Sequence, residues 1–438
     1  MMKFELNDEE SKLVDYLSRK SWKIYVVGGS VRDVLLGRSR ADLDLVVESP
    51  QFKELVHYLK QRYNVLKDGL YYKEAKVVLN HGTKQVVDVT VPRGEVYPGP
   101  SETPVEYEVG EVSKDLSRRD FTINSMAVLL NGNYADLMDP FGGSNDLKNG
   151  IIRFVGHPDQ RIEEDPLRML RAIRQSAVLG FKMDYHTFDA ICRNKERLNY
   201  VSRERVRDEM IKASPAFKEF FDGVVSVGAT QMVFGFDASE WERVKHDSRG
   251  HHYGESLLQH TRDLLRYIEG HEKMSGEVVP FEVKLAAVYH DSGKVAAMAF
   301  DGNKITFHDH PKFSKAFAYP IIKSFHFSRE RENHIMFLIS GHMRFAGGKA
   351  PKPSTIARHV VDARIDHIPL QWLLDLGSLS TVDGHAPPPP DLIRKLYAVE
   401  RPKLERIMEI PPERRKAAVR SAWIKLLSDI IKGESVNE

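Results

Sequence analysis

VVGGSVRDVLLGRSRADLDLVV, residues 26–47, begins as an apolar run, breaks at two glycines, turns amphipathic and closes on two aspartates hemmed in by hydrophobic residues. A strand that ends at Gly28-Gly29 and passes straight into a helix near Ser30 presents free backbone N–H groups at the positive end of a helix. Glycine lets a phosphate approach with no Cβ in the way, and the Ser30 hydroxyl can add a donor, so this turn predicts a phosphate cradle. Asp42 and Asp44 lie two apart and so on one face of a strand, where adjacent carboxylates repel unless a cation sits between them. Oxygen ligands suit Mg²⁺, and a nucleotide's phosphates would complete its octahedron. Further on, QVVDVTV (85–91) alternates with Asp88 and Thr90 on its polar face, which makes Asp88 the candidate third acid on a neighbouring strand.

The chain has 438 residues, 42% of them hydrophobic, enough for more than one core, and roughly two to four domains are expected. No run approaches ~18 uninterrupted apolar residues, and MMKFELNDEESK lacks the apolar core of a signal peptide, so the reading is a cytoplasmic protein with no membrane segment. A single cysteine, Cys192, excludes an intrachain disulfide framework and reads as a buried, inert thiol in a reducing compartment. With 64 basic against 62 acidic residues, a polyanion would have to be bound by local patches. Short β-branched runs (IYVV, LDLVV, KVVLN, QVVDVTV) and a helical stretch near 51–62 predict a mixed α/β unit over 24–130. After DPFGGSNDL these runs thin out, and from about 161 apolar residues recur at helical spacing among arginines. PPPP at 387–390 reads as a stiff linker with helical segments beyond it.

GGSVRDVLLGRSRADLDLVV, RRDFTINSMA (118–127), DPFGGSNDL (139–147), EEDPLRMLRAIRQSAVLGF (163–181) and SRERVRDEM (202–210) together resemble the ordered motifs of class II tRNA nucleotidyltransferases, the family of CCA-adding enzymes and bacterial poly(A) polymerases. The resemblance implies an α/β, polymerase-β-like nucleotidyltransferase head followed by a largely α-helical neck, an HD-like domain and a tail. The boundaries expected are 1–135 for the head, 136–215 for the neck, 216–250 for a connector, 251–386 for the HD-like domain and 391–438 for the tail.

The implied roles can be set against the residues' chemistry. Mg²⁺ held by Asp42 and Asp44, with Asp88 as third acid, would serve phosphoryl transfer to an RNA 3′-hydroxyl. Gly28, Gly29, Ser30, Arg32 and Asp33 fall at the phosphates, with Asp33 as a brace, and Arg119, Asp120 and Asn124 at the ribose and phosphates of the incoming nucleotide. For Asp120 the alternative is a helix cap. Pro166 can begin a helix, so Asp165 and Arg168 can turn toward one pocket. There a carboxylate accepts from the exocyclic amine that cytosine and adenine share, while a guanidinium donates to the adjacent ring nitrogen. A Glu164–Arg168 surface ion pair is the competing reading. Residues 153–212 hold 13 Lys and Arg against 10 Asp and Glu, and Arg171, Arg174, Arg205 and Arg207 are the candidate RNA contacts. The loop 93–111 (RGEVYPGPSETPVEYEVGE) departs from the commoner family pattern, a basic and aspartate-rich stretch at the place that governs whether A follows C.

In the second half, LLQH (His260), YHDSGK (His290-Asp291), FHDHP (His308, His310) and STVDGH (Asp383) resemble the ligand series of HD-superfamily phosphohydrolases. That resemblance implies a transition metal, Ni²⁺, Mn²⁺ or Co²⁺, on His260, His290, Asp291 and Asp383, with His308 or His310 extending the shell. The combined expectation is a tRNA nucleotidyltransferase using CTP and ATP, with HD phosphohydrolase activity in addition. The alternatives are a partial CC-adding or A-adding enzyme, a poly(A) polymerase, or an HD phosphohydrolase with an inactive head.

Overall fold

The computed structural model describes residues 4–40, 42–48, 50–69, 74–81, 83–96, 105–108, 110–131, 134–245, 254–276, 278–345, 352–365, 396 and 412–434. They form two compact units, one of residues 1–215 with 223–233, the other of residues 216–222 with 234–438.

The first unit is built on α1 (Asp8–Ser18), β1 (Lys23–Val27), α2 (Gly29–Leu35), β2 (Asp44–Glu48), α3 (Phe52–Lys60), β3 (Asn64–Gly69), β4 (Glu74–His81), β5 (Thr83–Thr90), β6 (Arg93–Val96), β7 (Val105–Glu108), α4 (Val112–Ser117), β8 (Ala127–Asn131) and β9 (Tyr134–Met138). Seven strands make one sheet in the order β3-β4-β5-β2-β1-β8-β9. Only β2 and β5 run parallel; α3 and the β3–β4 hairpin form the crossover that a parallel pair requires. The apolar run of β1 is buried from Ile24 onward, as expected of a strand covered on both faces. Tyr25 and Val27 pack with Val46, Ala127 and the α4 residues Val112 and Leu116. Helices α1 and α3 bury Leu13, Leu17, Phe52, Leu55 and Leu59. Capping fixes where α1 begins, since the Asn7 side chain accepts from Glu9 and Glu10 N–H while the Glu10 carboxylate accepts from Asn7 N–H.

The β6–β7 hairpin falls within the divergent loop 93–111, whose residues 97–104 and 109 lie outside the described set. The sheet runs to Met138, three residues past the expected end of the head, and continues within the same compact unit into α5 (Gly143–Asn149), α6 (Pro158–Glu164), α7 (Leu167–Leu179), α8 (Tyr185–Asn194) and α9 (Arg203–Lys212). Head and neck are thus one unit. Within residues 216–250, expected as a connector, lie α10 (Phe217–Ser226), α11 (Thr230–Phe234) and α12 (Ala238–Arg243), with Phe236 stacked on Trp241 at 3.6 Å between ring centroids.

The second unit is largely helical: α13 (Leu257–Ser275), α14 (Phe281–Tyr289), α15 (Lys294–Ala297), α16 (His310–Ser324), α17 (Arg329–Gly341), α18 (Pro353–Ile365) and α19 (Pro412–Glu434). α14 is apolar nearly all round and buried along its whole length, the pattern of a central helix. α18 and α19 pack together, and Ile356 and Val360 on the one and Trp423 and Leu427 on the other are buried. The PPPP stretch lies outside the described residues. No described helix is long and apolar enough to cross a membrane.

Candidate active site

The two carboxylates quoted first and the third acid come together on the neighbouring central strands β2 and β5. Asp44 opens β2 and pairs in register with Asp88 on the parallel strand β5, and Asp42 lies two residues ahead on the exposed approach to β2, past the buried Leu43. Burial pushes the Asp44 carboxyl above its ordinary value; Arg119 opposes that rise, and Asp88 and Asp42 add to it. Three clustered carboxylates provide the donor set and the charge a hard divalent cation would balance. Asp88 has a partner that sequence reading missed. Lys76 faces it across the β4–β5 ladder, its Nζ 2.8 Å and 2.9 Å from the two oxygens, and this hydrogen bonding lifts the Lys76 ammonium to about 12. A polar residue alternating on the strand next to an acid was the available signal.

The glycine turn lies beside these acids. Gly28 has φ +70 and ψ −135, a conformation for which glycine is suited, and a Cβ there would come within 2.7 Å of an Arg119 nitrogen. Its own N–H is bonded to the Met126 carbonyl, and the Ser30 hydroxyl is buried, donating to the Asp42 carbonyl at 2.8 Å. Ser30 therefore ties the helix start to the acids, and the donor expected for phosphate is already engaged. Arg32 donates to Asp33 and to the Asn124 side chain, the latter at 2.9 Å, so three of the expected residues come together. Arg119 is held by Asp115, which also takes Arg118. Burial works against the charge on Asp115, but the arginines outweigh it and hold the carboxyl below its usual range. Asp115 escaped the sequence reading, although Asp and Arg four apart in KDLSRRD carry the helical signal.

The remaining expected contacts are paired within the chain. Asp120 is no helix cap: its oxygens take Arg168 Nε at 2.7 Å and Arg171 Nη1 at 2.8 Å. Burial opposes its ionisation, yet Arg171 and Arg168 keep the carboxyl below its ordinary value. Arg168 is 2% exposed and also bonds Glu164 and the carbonyls of Arg161 and Arg118. The Glu164 pair therefore exists, but it is buried around Arg168 and is no surface pair. Asp165, at the break between α6 and α7, accepts from Leu167 N–H at 3.2 Å and from Arg205 at 2.7 Å. Arg174 bonds Glu209, and Arg207 bonds Asp208. All four arginines expected at RNA thus have carboxylate partners within the chain. A count of basic residues cannot show this, because for Arg171, Arg174 and Arg205 the engaging acid lies far along the chain.

In the second unit four helices direct imidazoles at one carboxylate. Asp291 is fully buried between His260 near the start of α13, His290 after α14, His310 at the start of α16 and His342 after α17. The Nε2 atoms of His260 and His290 lie 3.4 Å and 3.2 Å from its Oδ2, and those of His310 and His342 lie 3.0 Å and 3.3 Å from its Oδ1. Burial depresses the basicity of His290 and His342. Burial alone would raise Asp291, but the neighbouring His290 and Lys294 hold it well below its usual range. The sequence reading named three of these histidines. Of His308 and His310 the structure brings in only His310, since His308 is exposed; Asp383 lies outside the described residues. His342 was missed, because a histidine in ISGHM carries no local mark.

Comparison with known proteins follows the same division. Residues 24–153 match the Poly A polymerase head domain, and residues 180–232 match the probable RNA and SrmB-binding site of polymerase A. The chain is 38% identical over 201 residues to the CCA-adding enzyme of Ligilactobacillus salivarius, covering 46% of this chain and 47% of that one. It is 36% identical over 198 residues to the CC-adding tRNA nucleotidyltransferase of Halalkalibacterium halodurans, covering 45% and 46%. The chain thus spans about half the length of the curated relatives it matches. The fold extends further: the structure of the Bacillus stearothermophilus CCA-adding enzyme in complex with CTP superposes with a TM-score of 0.59 at 20% identity, over 98% of each chain. Through residues 24–153 and 180–232, which hold the acid-bearing sheet and helices that follow it, the chain is similar to the head and RNA-binding segments of polymerase A and to CCA-adding and CC-adding enzymes.

Proposed function

We propose that the chain is a Mg²⁺-dependent tRNA nucleotidyltransferase that adds C and A to a tRNA 3′ end from CTP and ATP without a nucleic-acid template. The observation that carries this reading is the register of Asp44 against Asp88, with Asp42 alongside, next to the Gly28 turn and Arg119. On this reading Asp42, Asp44 and Asp88 hold Mg²⁺, which supplies charge neutralisation at the reacting oxygens. The RNA 3′-hydroxyl gives up its proton to solvent and its oxygen bonds to the α-phosphorus as the bond to the bridging oxygen breaks and pyrophosphate leaves. Arg119, oriented by Asp115, and Arg32, oriented by Asp33 and Asn124, meet the triphosphate. Asp165 and Arg168 read the base once it displaces part of their present partners, Arg205 and Glu164.

Incubating the chain with tRNAs lacking the terminal CCA, lacking only A, or complete, with each nucleotide supplied separately, and sequencing the 3′ ends tests this. C and A incorporation supports the reading, and no incorporation with Mg²⁺ present overturns it. A CC-only enzyme is the second reading, favoured by the divergent loop 93–111 and supported by the likeness to a CC-adding relative; it requires extension to stop after the second C. For the second unit we propose a divalent transition metal, Ni²⁺, Mn²⁺ or Co²⁺, on the His260, His290 and Asp291 cluster, as in HD phosphohydrolases. The support is a fully buried carboxylate among imidazole nitrogens.

A further inference from the structure

β2 begins at Asp44, so Asp42 stands outside the ladder that sets Asp44 against Asp88. Toward β2 its backbone is tied down: the Ser30 hydroxyl donates to the Asp42 carbonyl at 2.8 Å, and Asp88 N–H donates to the Leu43 carbonyl at 3.3 Å. On the approach, two residues before Asp42, the chain is held at Arg40, and the group that holds it is the carboxylate of Glu10 on α1. The Glu10 side chain is fully buried, a place a glutamate takes almost only when it is paired.

Glu10 Oε1 accepts from Arg40 Nη1 at 2.8 Å and from Gln85 Nε2 at 2.6 Å, while Oε2 accepts from Asn7 N–H at 2.9 Å and from Arg40 Nη2. Capping of α1 needs only the bond to Asn7 N–H; the other three reach residues 40 and 85. Two nitrogens of one guanidinium on both oxygens of one carboxylate fix direction as well as distance. The Phe4 ring, its centroid 5.7 Å from the guanidinium carbon, adds to the hold on Arg40. The Gln85 amide is secured at both ends, since its Oε1 accepts from Asn7 Nδ2 at 3.0 Å. Burial works against the Glu10 charge, yet Arg40, Asn7 N–H and Gln85 keep the carboxyl below its ordinary value. Three distant stretches therefore meet at Glu10: the start of α1, the chain entering β2, and β5, which carries Asp88.

We propose that Glu10 and Arg40 are positioning residues for Asp42: their buried pair fixes the chain entering β2 so that the Asp42 carboxylate stands beside Asp44 ready for a divalent ion. This rests on the reading of Asp42 and Asp44 as the Mg²⁺ ligands and adds what orders the one that lies outside the sheet. Without the pair, the ion itself has to order Asp42, and the entropy of doing so is subtracted from metal affinity. Arg40 and Glu10 are not among the groups placed at the nucleotide, so nucleotide binding at saturating Mg²⁺ is spared.

The test uses the full chain, unaltered and as Arg40→Met, Arg40→Lys, and Arg40→Met with Glu10→Gln. Mn²⁺ binding is followed by loss of the free-ion electron paramagnetic resonance signal, and the part that Asp42→Ala removes is assigned to the head. Primer extension is titrated with Mg²⁺ and with CTP, and denaturant midpoints are recorded. Arg40→Met should weaken the head's Mn²⁺ affinity roughly tenfold and raise the Mg²⁺ needed for half-maximal addition to match, with KM for CTP at saturating Mg²⁺ unchanged. Arg40→Lys, which keeps one charged donor, should recover part of the affinity. Adding Glu10→Gln to Arg40→Met removes the stranded buried charge, so the unfolding midpoint should recover while the metal affinity does not. Recovery of both shows a role in stability alone and overturns the proposal. Unchanged Mn²⁺ affinity in Arg40→Met overturns it and leaves the nucleotidyltransferase reading standing. Mn²⁺ binding that Asp42→Ala does not alter overturns the metal assignment and this inference with it. If the unaltered chain binds Mn²⁺ at Asp42 but adds no nucleotide, the nucleotidyltransferase reading falls and the Mn²⁺ affinities alone decide the proposal. If Arg40→Met is unfolded by circular dichroism, Arg40→Lys and the double variant decide it.

Discussion

Asp42 and Asp44 were readable as a pair from their spacing, and their chemistry makes the first prediction. Asp42→Ala or Asp44→Ala should reduce nucleotide addition by at least about 10³-fold with an unchanged circular dichroism spectrum. Near-normal primer extension by either variant would remove both from the metal site. Asp165 and Arg168 were legible as a pair of base readers but not as enclosed ones. Arg205 holds the Asp165 carboxylate at 2.7 Å from a helix some forty residues on. Arg205→Met should therefore narrow the preference for CTP and ATP over UTP and GTP while leaving the Mg²⁺ dependence of addition unaltered. Competition assays with all four nucleotides check this, and an unchanged preference would sink it. Arg168→Ala carries a second cost, because Asp120 and Glu164 lose a buried partner; a destabilisation of about 3 kcal/mol is expected in denaturant titration.

The turn from β1 into α2 is where local sequence and element geometry agree most closely. Gly28 has a backbone angle that other residues adopt at a cost, and its missing Cβ leaves the space that the Arg119 guanidinium fills. Gly28→Ala should lower stability by about 1–3 kcal/mol through backbone strain and also displace Arg119 from Asp44. A drop in the unfolding midpoint together with a raised KM for nucleotide is the expected result; loss of neither would show that the turn accommodates a side chain. The glycine pair and the flanking β-branched runs made this element visible. Local sequence did not show that the Ser30 hydroxyl donates to the Asp42 carbonyl just ahead of β2.

At the scale of the whole molecule, the helical unit carries a buried acid that couples its stability to pH. Burial pushes the Glu269 carboxyl from 4.5 up to about 7, with Glu219 adding to the rise and the Lys218 N–H opposing it. The folded state therefore binds more protons than the unfolded chain between those values, so stability falls as pH rises from about 4.5 to 7. Glu269→Gln should remove that slope and stabilise the protein above neutrality by on the order of 1–3 kcal/mol, with little difference in acid. Denaturant midpoints of both proteins across this range measure it, and parallel profiles would overturn the assignment.

Sequence by itself determined the α/β head, the turn at Gly28-Gly29, the three acids, and a histidine series centred on His290-Asp291, because each is written in local pattern: periodicity, a glycine break, alternation, adjacent ligands. Only the tertiary structure decided which groups meet. Lys76 reaches Asp88 through strand register, and four helices bring His342 to Asp291. Three of the arginines expected to face RNA are drawn onto Asp120, Asp165 and Glu209. Pairing between distant residues depends on how elements pack, and a charge or an imidazole carries no mark in sequence of the partner that packing will bring to it.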